Sequence, residues 1–166
     1  GLFLAAACLM IGLASAFVLP PIFVIVLAGY LVLTTAYSFY LKQFVLLDVI
    51  VLAQLYTVRV YGGGAATEVV PSHWLLTFSL FLFLSLALVK RFTELRLMSQ
   101  TEGTELHGRG YWVTDLEHIS SIGTASGLLA VLVLALYISS KEVLLLYSHA
   151  EVLWLVCPVM LYWISR

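Results

Sequence analysis

The sequence predicts an all-α fold, a polytopic transmembrane helical bundle with about six membrane spans. Of its 166 residues, 63% are hydrophobic and 10% are charged, whereas a soluble domain carries about 45–50% apolar and about 25% charged residues. The apolar residues also form continuous runs, unlike the two-residue alternation of membrane barrel strands. The chain is therefore expected to be an integral membrane protein, with the lipid bilayer as its surroundings.

Six apolar windows approach the about 20 residues that a helix needs to cross the hydrocarbon. In chain order they are Leu2–Val18, Ile22–Ser38, Phe44–Tyr61, His73–Val89, Ile119–Ile138 and His149–Ile164. Helix breakers separate them: Pro20-Pro21, Gly62-Gly63-Gly64 and Pro71. Together the windows predict a single transmembrane domain over residues 1–166.

The basic residues are distributed unevenly over the predicted loops. If successive loops alternate sides, one side receives six basic residues: Lys42, Lys90, Arg91, Arg96, Arg109 and Arg166. The other side has Lys141, with Arg59 near the same end of its span. Because Lys and Arg accumulate in cytoplasmic loops, the first side is predicted to face the cytoplasm. A net charge of -1 gives no indication of a nucleic-acid partner.

Tyr37, Lys42 and Asp48 meet at the cytoplasmic rim, where the second predicted span ends and the third begins. Lys42 could bind a phosphate while Tyr37 donates a hydrogen bond to it. Alternatively, both are interfacial anchors of the helix ends. Asp48 stands inside a span, where a charge costs about 2.5–3.5 kcal/mol at the helix centre, so it needs a partner.

Arg59 shares a helical face with Asp48 but lies eleven residues further along, roughly 16 Å at 1.5 Å per residue. The two side chains therefore cannot pair directly. Arg59 either finds a partner inside the bundle or extends toward the nearer membrane surface.

Lys90, Arg91 and Glu94 end the fourth predicted span. Lys90 and Glu94 are four residues apart, a spacing that favours an ion pair on the helix surface. The alternative is an anion site in which the two cations bind phosphate and Glu94 ligates a divalent metal such as Mg²⁺.

Arg109, Tyr111 and Asp115 precede the fifth predicted span. Gly108 and Gly110 permit close approach of the backbone to a ligand, and Arg109 offers two parallel donors to a phosphate. Asp115 either ligates a metal or helps to open the next helix, since acidic residues favour helix N-termini.

These motifs resemble the UbiA superfamily of intramembrane prenyltransferases. The resemblance rests on Tyr37-Ser-x-x-Leu-Lys42, on Asp48 followed by Arg59-x-x-Gly62, and on Lys90-Arg91-x-x-Glu94-Leu95. Within the superfamily, the likeness is greatest to the branch of decaprenyl-phosphate phosphoribosyltransferase and of bacterial proteins fused to a haloacid-dehalogenase-like domain.

The resemblance implies a nine-span fold of which this chain supplies the spans after the second and before the last. It implies a bacterial inner-membrane prenyltransferase that uses Mg²⁺ and an isoprenoid substrate, polyprenyl pyrophosphate or polyprenyl phosphate. Its first aspartate-rich motif is absent here, and Glu94 stands at the first acidic position of the second. On this basis the expected site comprises Asp48 and Glu94 as catalytic residues, Glu94 and Asp115 as metal ligands, and a set that binds phosphate: Tyr37, Lys42, Lys90, Arg91, Arg109 and Tyr111.

Three functions remain open on the sequence. The first is transfer of a polyprenyl group from a prenyl pyrophosphate to an acceptor. The second is transfer of a phosphoribosyl group to a polyprenyl phosphate. The third belongs to another class, a membrane transporter or a noncatalytic helical scaffold, in which the charged residues line a path or hold helices together.

Overall fold

The computed structural model describes residues 3–4, 10, 12, 19–100, 105–106, 110–141, 143 and 149–165. Five helices organise these residues: α1 Pro21–Phe39, α2 Leu47–Thr67, α3 His73–Ser99, α4 Leu116–Ile138 and α5 Val156–Ser165. Short 3₁₀ turns lie at Leu41–Gln43, Val113–Asp115 and Ala150–Leu155. Before α4, strand β1 (Glu105–Leu106) pairs antiparallel with β2 (Tyr111–Trp112). The all-α class predicted from the sequence is confirmed.

Four helices of the described residues, α1 to α4, are long and apolar enough to cross a membrane. Most of the first predicted window lies outside the described residues. The last window was predicted as a full span, but it forms a shorter apolar helix, Glu151–Ser165, whose first part is 3₁₀. Pro158 explains this difference, because proline has no N–H to donate and is accommodated best in the first turn of an α-helix.

The prediction that Gly62-Gly63-Gly64 ends a helix is wrong, since α2 continues through all three to Thr67. A Cβ on Gly64 would lie 2.5 Å from both the Val69 carbonyl oxygen and Cγ of Pro71. This glycine therefore allows the chain after α2 to fold back against the helix. The helix ends where Glu68 takes a left-handed conformation, with φ at 58°.

Helix α3 is the centre of the bundle and packs against both α2 and α4. Helix α1 packs on the outer side of α2 and has no buried residue, while α5 packs on α4. The main core lies where α2 begins and α3 ends, and it comprises Val49, Ala87, Leu88, Leu95, Tyr111 and Ile119. We call this the charged end of the bundle, because Asp48 and Arg91 are buried beside this core.

The turn between α1 and α2 places Asp48 at the charged end. Leu46 has a φ of 63°, and the Leu47 N–H donates to the Val45 carbonyl at 2.8 Å, which closes a tight γ-turn around Leu46. A positive φ is unfavourable for a residue with a Cβ and persists where neighbouring structure enforces it. The turn starts α2 at Leu47, so Asp48 falls in its first turn.

Candidate functional site

A buried ion pair joins α2 to α3 at the charged end. Arg91 Nη2 donates to Asp48 Oδ2 at 2.8 Å, and the two side chains are 1% and 0% exposed. Asp48 Oδ1 also accepts from the N–H of Val49 at 2.7 Å. The aspartate required a partner inside the membrane part, and the structure identifies that partner as Arg91.

Tyr111 completes this pair from β2. Its hydroxyl donates to Asp48 Oδ1 and accepts from the Leu46 N–H at 2.8 Å. Burial and then the hydrogen bond to Asp48 raise the pKa of the Tyr111 phenol well above its ordinary value of 10.0. Tyr111 therefore remains a protonated donor, and it ties the segment before α4 to the turn before α2.

Gly110 enables this approach of β2. It has a φ of +67°, and a Cβ at this position would lie 3.2 Å from the Gln43 carbonyl oxygen. A glycine adopts such a φ without the steric cost that other residues incur. The segment that carries Tyr111 can therefore lie directly against the chain between α1 and α2.

The Arg91 guanidinium is held on several sides. Nη1 donates to Glu94 Oε2, Nη2 donates to Asp48, and the group lies 5.5 Å from the centre of the Tyr111 ring. Nε is buried and has no hydrogen-bond partner among the described residues. A buried donor without a partner costs about 1–3 kcal/mol, so this N–H is suited to an oxygen ligand.

Beside Arg91, a cleft of about 480 Å³ opens between α1, α2 and α3. Its polar groups are at the charged end: Tyr37, Lys90 and Arg91. Its remaining wall consists of apolar and aromatic side chains, Leu52, Tyr56, Phe83, Leu86 and Ala87. The cleft thus combines cations at one end with hydrocarbon surface at the other.

The structure brings together most of the residues that the sequence singled out. Asp48, Arg91, Glu94 and Tyr111 form one contact network, and Tyr37 and Lys90 line the adjoining cleft. Lys42 is half-buried in the 3₁₀ turn after α1 and is not part of the cleft wall. Arg109 lies outside the described residues.

The structure decides how Glu94 and Asp115 are engaged. Glu94 pairs with Arg91, three residues before it, rather than with Lys90, because the Arg91 guanidinium points toward the buried Asp48 and passes Glu94. Asp115 accepts from the Trp112 N–H at 2.9 Å. It thus takes up a backbone donor just before α4, which accords with a role in opening that helix.

Arg59 is exposed on α2 and contacts aromatic side chains of α1 and α2. Its Nε donates to the Tyr30 hydroxyl at 3.0 Å, and its guanidinium lies 5.3 Å from the Tyr30 ring centre and 5.0 Å from that of Tyr56. Sequence reasoning did not identify Tyr30, Tyr56 or Phe83. The spacing of Tyr56 and Arg59 on one face of α2 was the available signal.

Within the described part of the chain, no three His, Cys, Asp or Glu side chains cluster in a way that could hold a metal ion. Glu94 is one-third exposed at the edge of the network, with Oε1 not engaged by the ion pair to Arg91. Mg²⁺ commonly takes one or two carboxylates together with phosphate oxygens of a substrate. Glu94 fits such a role, whereas one Asp115 oxygen accepts a backbone hydrogen bond from Trp112.

Comparison with known proteins finds relatives over most of the chain. It is 39% identical over 137 residues to the uncharacterized protein y4nM of Sinorhizobium fredii, covering 78% of this chain and 27% of that protein. It is 33% identical over 139 residues to the nodulation protein NoeC of Azorhizobium caulinodans, covering 84% of this chain and 45% of that protein. The chain thus spans less than half the length of either relative.

A third relative has a name that states a reaction. The chain is 35% identical over 89 residues to decaprenyl-phosphate phosphoribosyltransferase of Mycobacterium tuberculosis, covering 54% of this chain and 30% of that protein. The chain is a distant homologue of this transferase over about half of its own length. No family model matches the chain, and no solved structure matches it significantly.

This homology and the four long apolar helices support two coarse conclusions. The protein is an integral membrane protein. Its distant homologues in mycobacteria are named as phosphoribosyltransferases.

Proposed function

We propose that this chain forms the membrane part of a UbiA-type transferase whose substrate is a polyprenyl lipid with a phosphate head. The observation that carries the proposal is the cleft beside Arg91, which has cationic groups at one end and apolar walls below them. A lipid phosphate has the same two-part chemistry. Its anionic head would bind at the charged end while its hydrocarbon chain contacts α2 and α3.

Each polar residue of the cleft would have a different role in binding the phosphate head. Lys90 supplies a mobile point charge and Tyr37 a phenolic donor, while Arg91 contributes the positive charge of its guanidinium. Asp48 and Glu94 fix the Arg91 guanidinium through Nη2 and Nη1, so it does not need to be ordered when the ligand binds. Preorganised donors of this kind stabilise negative charge as it develops on a departing phosphate group.

Phosphoribosyl transfer to a polyprenyl phosphate is the reaction that we favour, because a homologue of this chain is named for it. In this reaction an oxygen of the lipid phosphate forms a bond to the anomeric carbon of the ribose as the carbon–oxygen bond to pyrophosphate breaks. The cleft would orient the lipid phosphate. Its positive charge would also keep that phosphate ionised and therefore nucleophilic.

Prenyl transfer from a polyprenyl pyrophosphate is the second candidate, and the sequence motifs shared with intramembrane prenyltransferases support it. Here the bond between the allylic carbon and the pyrophosphate oxygen breaks, and an acceptor attacks that carbon. Lys90 and Arg91 would then bind the departing group. The same cleft serves both reactions, so the choice between them depends on the second substrate.

Glu94 is the residue that we propose as a ligand for Mg²⁺. The ion would neutralise charge on the pyrophosphate of either donor. We further propose that the charged end faces the cytoplasm of the bacterial inner membrane, as the distribution of Lys and Arg favours.

The test compares Lys90→Met and Tyr37→Phe with wild type in the intact protein, reconstituted in nanodiscs. Binding of labelled decaprenyl phosphate should weaken about tenfold or more in Lys90→Met, since a hydrogen bond to a charged group contributes about 1.5–3 kcal/mol. Lys141→Met, at an exposed lysine just beyond the C-terminal end of α4 and outside the cleft wall, is the matched control. Unchanged binding in Lys90→Met would exclude the cleft as the phosphate site.

A donor assay separates the two reactions. Phosphoribosyl pyrophosphate with decaprenyl phosphate tests the favoured one, and polyprenyl pyrophosphate with an aromatic acceptor tests the other. Turnover in the second assay alone would replace the favoured reaction with prenyl transfer.

A further inference from the structure

Two aromatic rings, those of Tyr56 and Phe83, close the end of the cleft that is remote from the Asp48–Arg91 pair. Tyr56 comes eight residues after Asp48 on α2, and Phe83 comes eight residues before Arg91 on α3. Eight residues of helix correspond to about 12 Å. Because Asp48 and Arg91 are paired, Tyr56 and Phe83 lie at one level, and their rings stack with centres 5.1 Å apart.

Beyond these rings the surroundings change from apolar to charged. The Arg59 guanidinium lies 5.0 Å from the Tyr56 ring centre, on the next turn of α2, and donates to the Tyr30 hydroxyl. No residue of the cleft wall lies deeper on α2 than Tyr56 or deeper on α3 than Phe83. A hydrocarbon chain gains nothing by continuing toward a guanidinium, since bringing apolar groups there would strip polar contacts from a charge.

The cleft instead opens sideways above this level. Tyr56 is 38% exposed and Leu86 is 39% exposed, although both contribute to the wall. Ala87, on the other side of the wall, is buried. The open side therefore runs past Tyr56 and Leu86 toward the membrane.

We propose that the stacked pair of Tyr56 and Phe83, backed by Arg59, is the floor that sets how much of a polyprenyl chain the cleft encloses. This inference rests on the proposed function and specifies its lipid. The cleft would recognise the phosphate and the first few isoprene units, and the rest of the chain would leave sideways into the bilayer. At about 480 Å³ the cleft is of ordinary ligand size and far too small for a whole long-chain polyprenyl group.

Residue size at position 56 should consequently decide chain-length preference. Truncation of Tyr56 leaves a space beside Phe83, while Arg59 keeps its hydrogen bond to the Tyr30 hydroxyl. Engineered cavities with apolar walls take up apolar ligands. A longer stretch of chain could then pack inside. Since the surrounding lipid is as apolar as the cleft, the gain comes from packing alone and should be several-fold rather than many orders of magnitude.

The experiment is competition against labelled decaprenyl phosphate on the intact protein in nanodiscs, with unlabelled geranyl, farnesyl, geranylgeranyl and decaprenyl phosphates. For wild type, affinity should rise over the shorter members and then stop rising. For Tyr56→Ala, the length at which it stops should increase by at least one isoprene unit, with a several-fold preference for the longer competitors. Tyr56→Phe keeps the ring and should reproduce the wild-type profile.

Phe83→Ala removes the other ring of the stacked pair, on α3, and provides a second measurement if Tyr56→Ala does not fold. An unchanged length profile in a folded Tyr56→Ala or Phe83→Ala protein would overturn the inference. An affinity that keeps rising up to decaprenyl phosphate in wild type would also overturn it. Failure of every polyprenyl phosphate to bind wild type would instead overturn the proposed function, and this inference with it.

Discussion

Asp48 and Arg91 are 43 positions apart in the sequence, yet they form a 2.8 Å salt bridge that is almost completely buried. The pair joins the first turn of α2 to the part of α3 that lines the cleft. It also holds Tyr111 through the second oxygen of Asp48. Three separate segments of chain therefore meet at one carboxylate, which fixes the geometry of the cationic end of the cleft.

The first prediction concerns the cost of separating this pair. Asp48→Leu should lower the free energy of unfolding by about 3–5 kcal/mol, because it leaves the Arg91 cation buried without its partner. The double variant Asp48→Leu/Arg91→Leu should be more stable than the single one, since replacing both members of a buried pair with apolar residues removes the unpaired charge. Equilibrium unfolding in detergent micelles measures both.

Tyr111 loses its acceptor in each of these two variants, so that loss cancels when they are compared. A double variant no more stable than Asp48→Leu would show that the Asp48–Arg91 interaction is not what the single substitution disrupts.

The sequence made part of this network predictable and left part of it open. An aspartate inside an apolar run needs a partner, and the adjacent basic pair at the end of the next span was evident. The choice of Arg91 over Lys90 was not evident, because it depends on the rotation of α3 about its axis. That rotation is set by the packing of Leu88 and Leu95 in the core. Because α3 is apolar on nearly all sides, its sequence does not indicate which face is buried.

A second prediction uses the raised pKa of Tyr111. When the folded-state pKa exceeds the unfolded value of 10.0, the unfolded chain releases this proton at lower pH than the folded chain. The unfolded state then binds fewer protons above pH 10, so stability falls as pH rises through that range. Tyr111→Phe should show a shallower loss of stability between about pH 9 and 11, measured by thermal unfolding.

At neutral pH the same variant should be less stable than wild type by about 1–3 kcal/mol, because the Leu46 N–H loses its acceptor. Tyr40→Phe, at a residue that is 72% exposed, is the control. Parallel pH profiles for wild type and Tyr111→Phe would contradict the assignment of the shift to Tyr111.

A third prediction distinguishes two adjacent glycines of α2. Gly64→Ala places a Cβ 2.5 Å from both the Val69 carbonyl oxygen and the Pro71 ring, so it should destabilise the protein by about 1–3 kcal/mol through overpacking. Gly63→Ala meets no atom within 4 Å and should instead stabilise the helix by up to about 1 kcal/mol. Thermal unfolding of the two variants side by side provides the measurement, and equal effects would contradict the close approach.

These glycines also show where sequence reasoning failed. Three consecutive glycines are expected to end a helix, yet each is compatible with helical backbone, and α2 continues through all three to Thr67. What selects glycine at position 64 is the returning chain at Val69 and Pro71. That contact is tertiary, so local spacing could not reveal it.

The last prediction concerns the attachment of α1, which has no buried residue. Among the hydrogen bonds between described side chains, those of Arg59 with Tyr30 join α1 to α2, and Tyr37 of the cleft lies seven residues from Tyr30 on the same face. Hydrogen bonds between membrane helices contribute about 0.6 kcal/mol on average and at most about 1.7 kcal/mol. Tyr30→Phe should therefore destabilise the protein by about that amount, and a double-mutant cycle with Arg59→Met should show a coupling energy of similar size.

Because looser attachment of α1 also moves Tyr37, Tyr30→Phe should weaken decaprenyl phosphate binding a few-fold, whereas Tyr40→Phe should not. Additive effects of the Tyr30 and Arg59 substitutions, or binding unaffected by Tyr30→Phe, would show that this contact does not position α1.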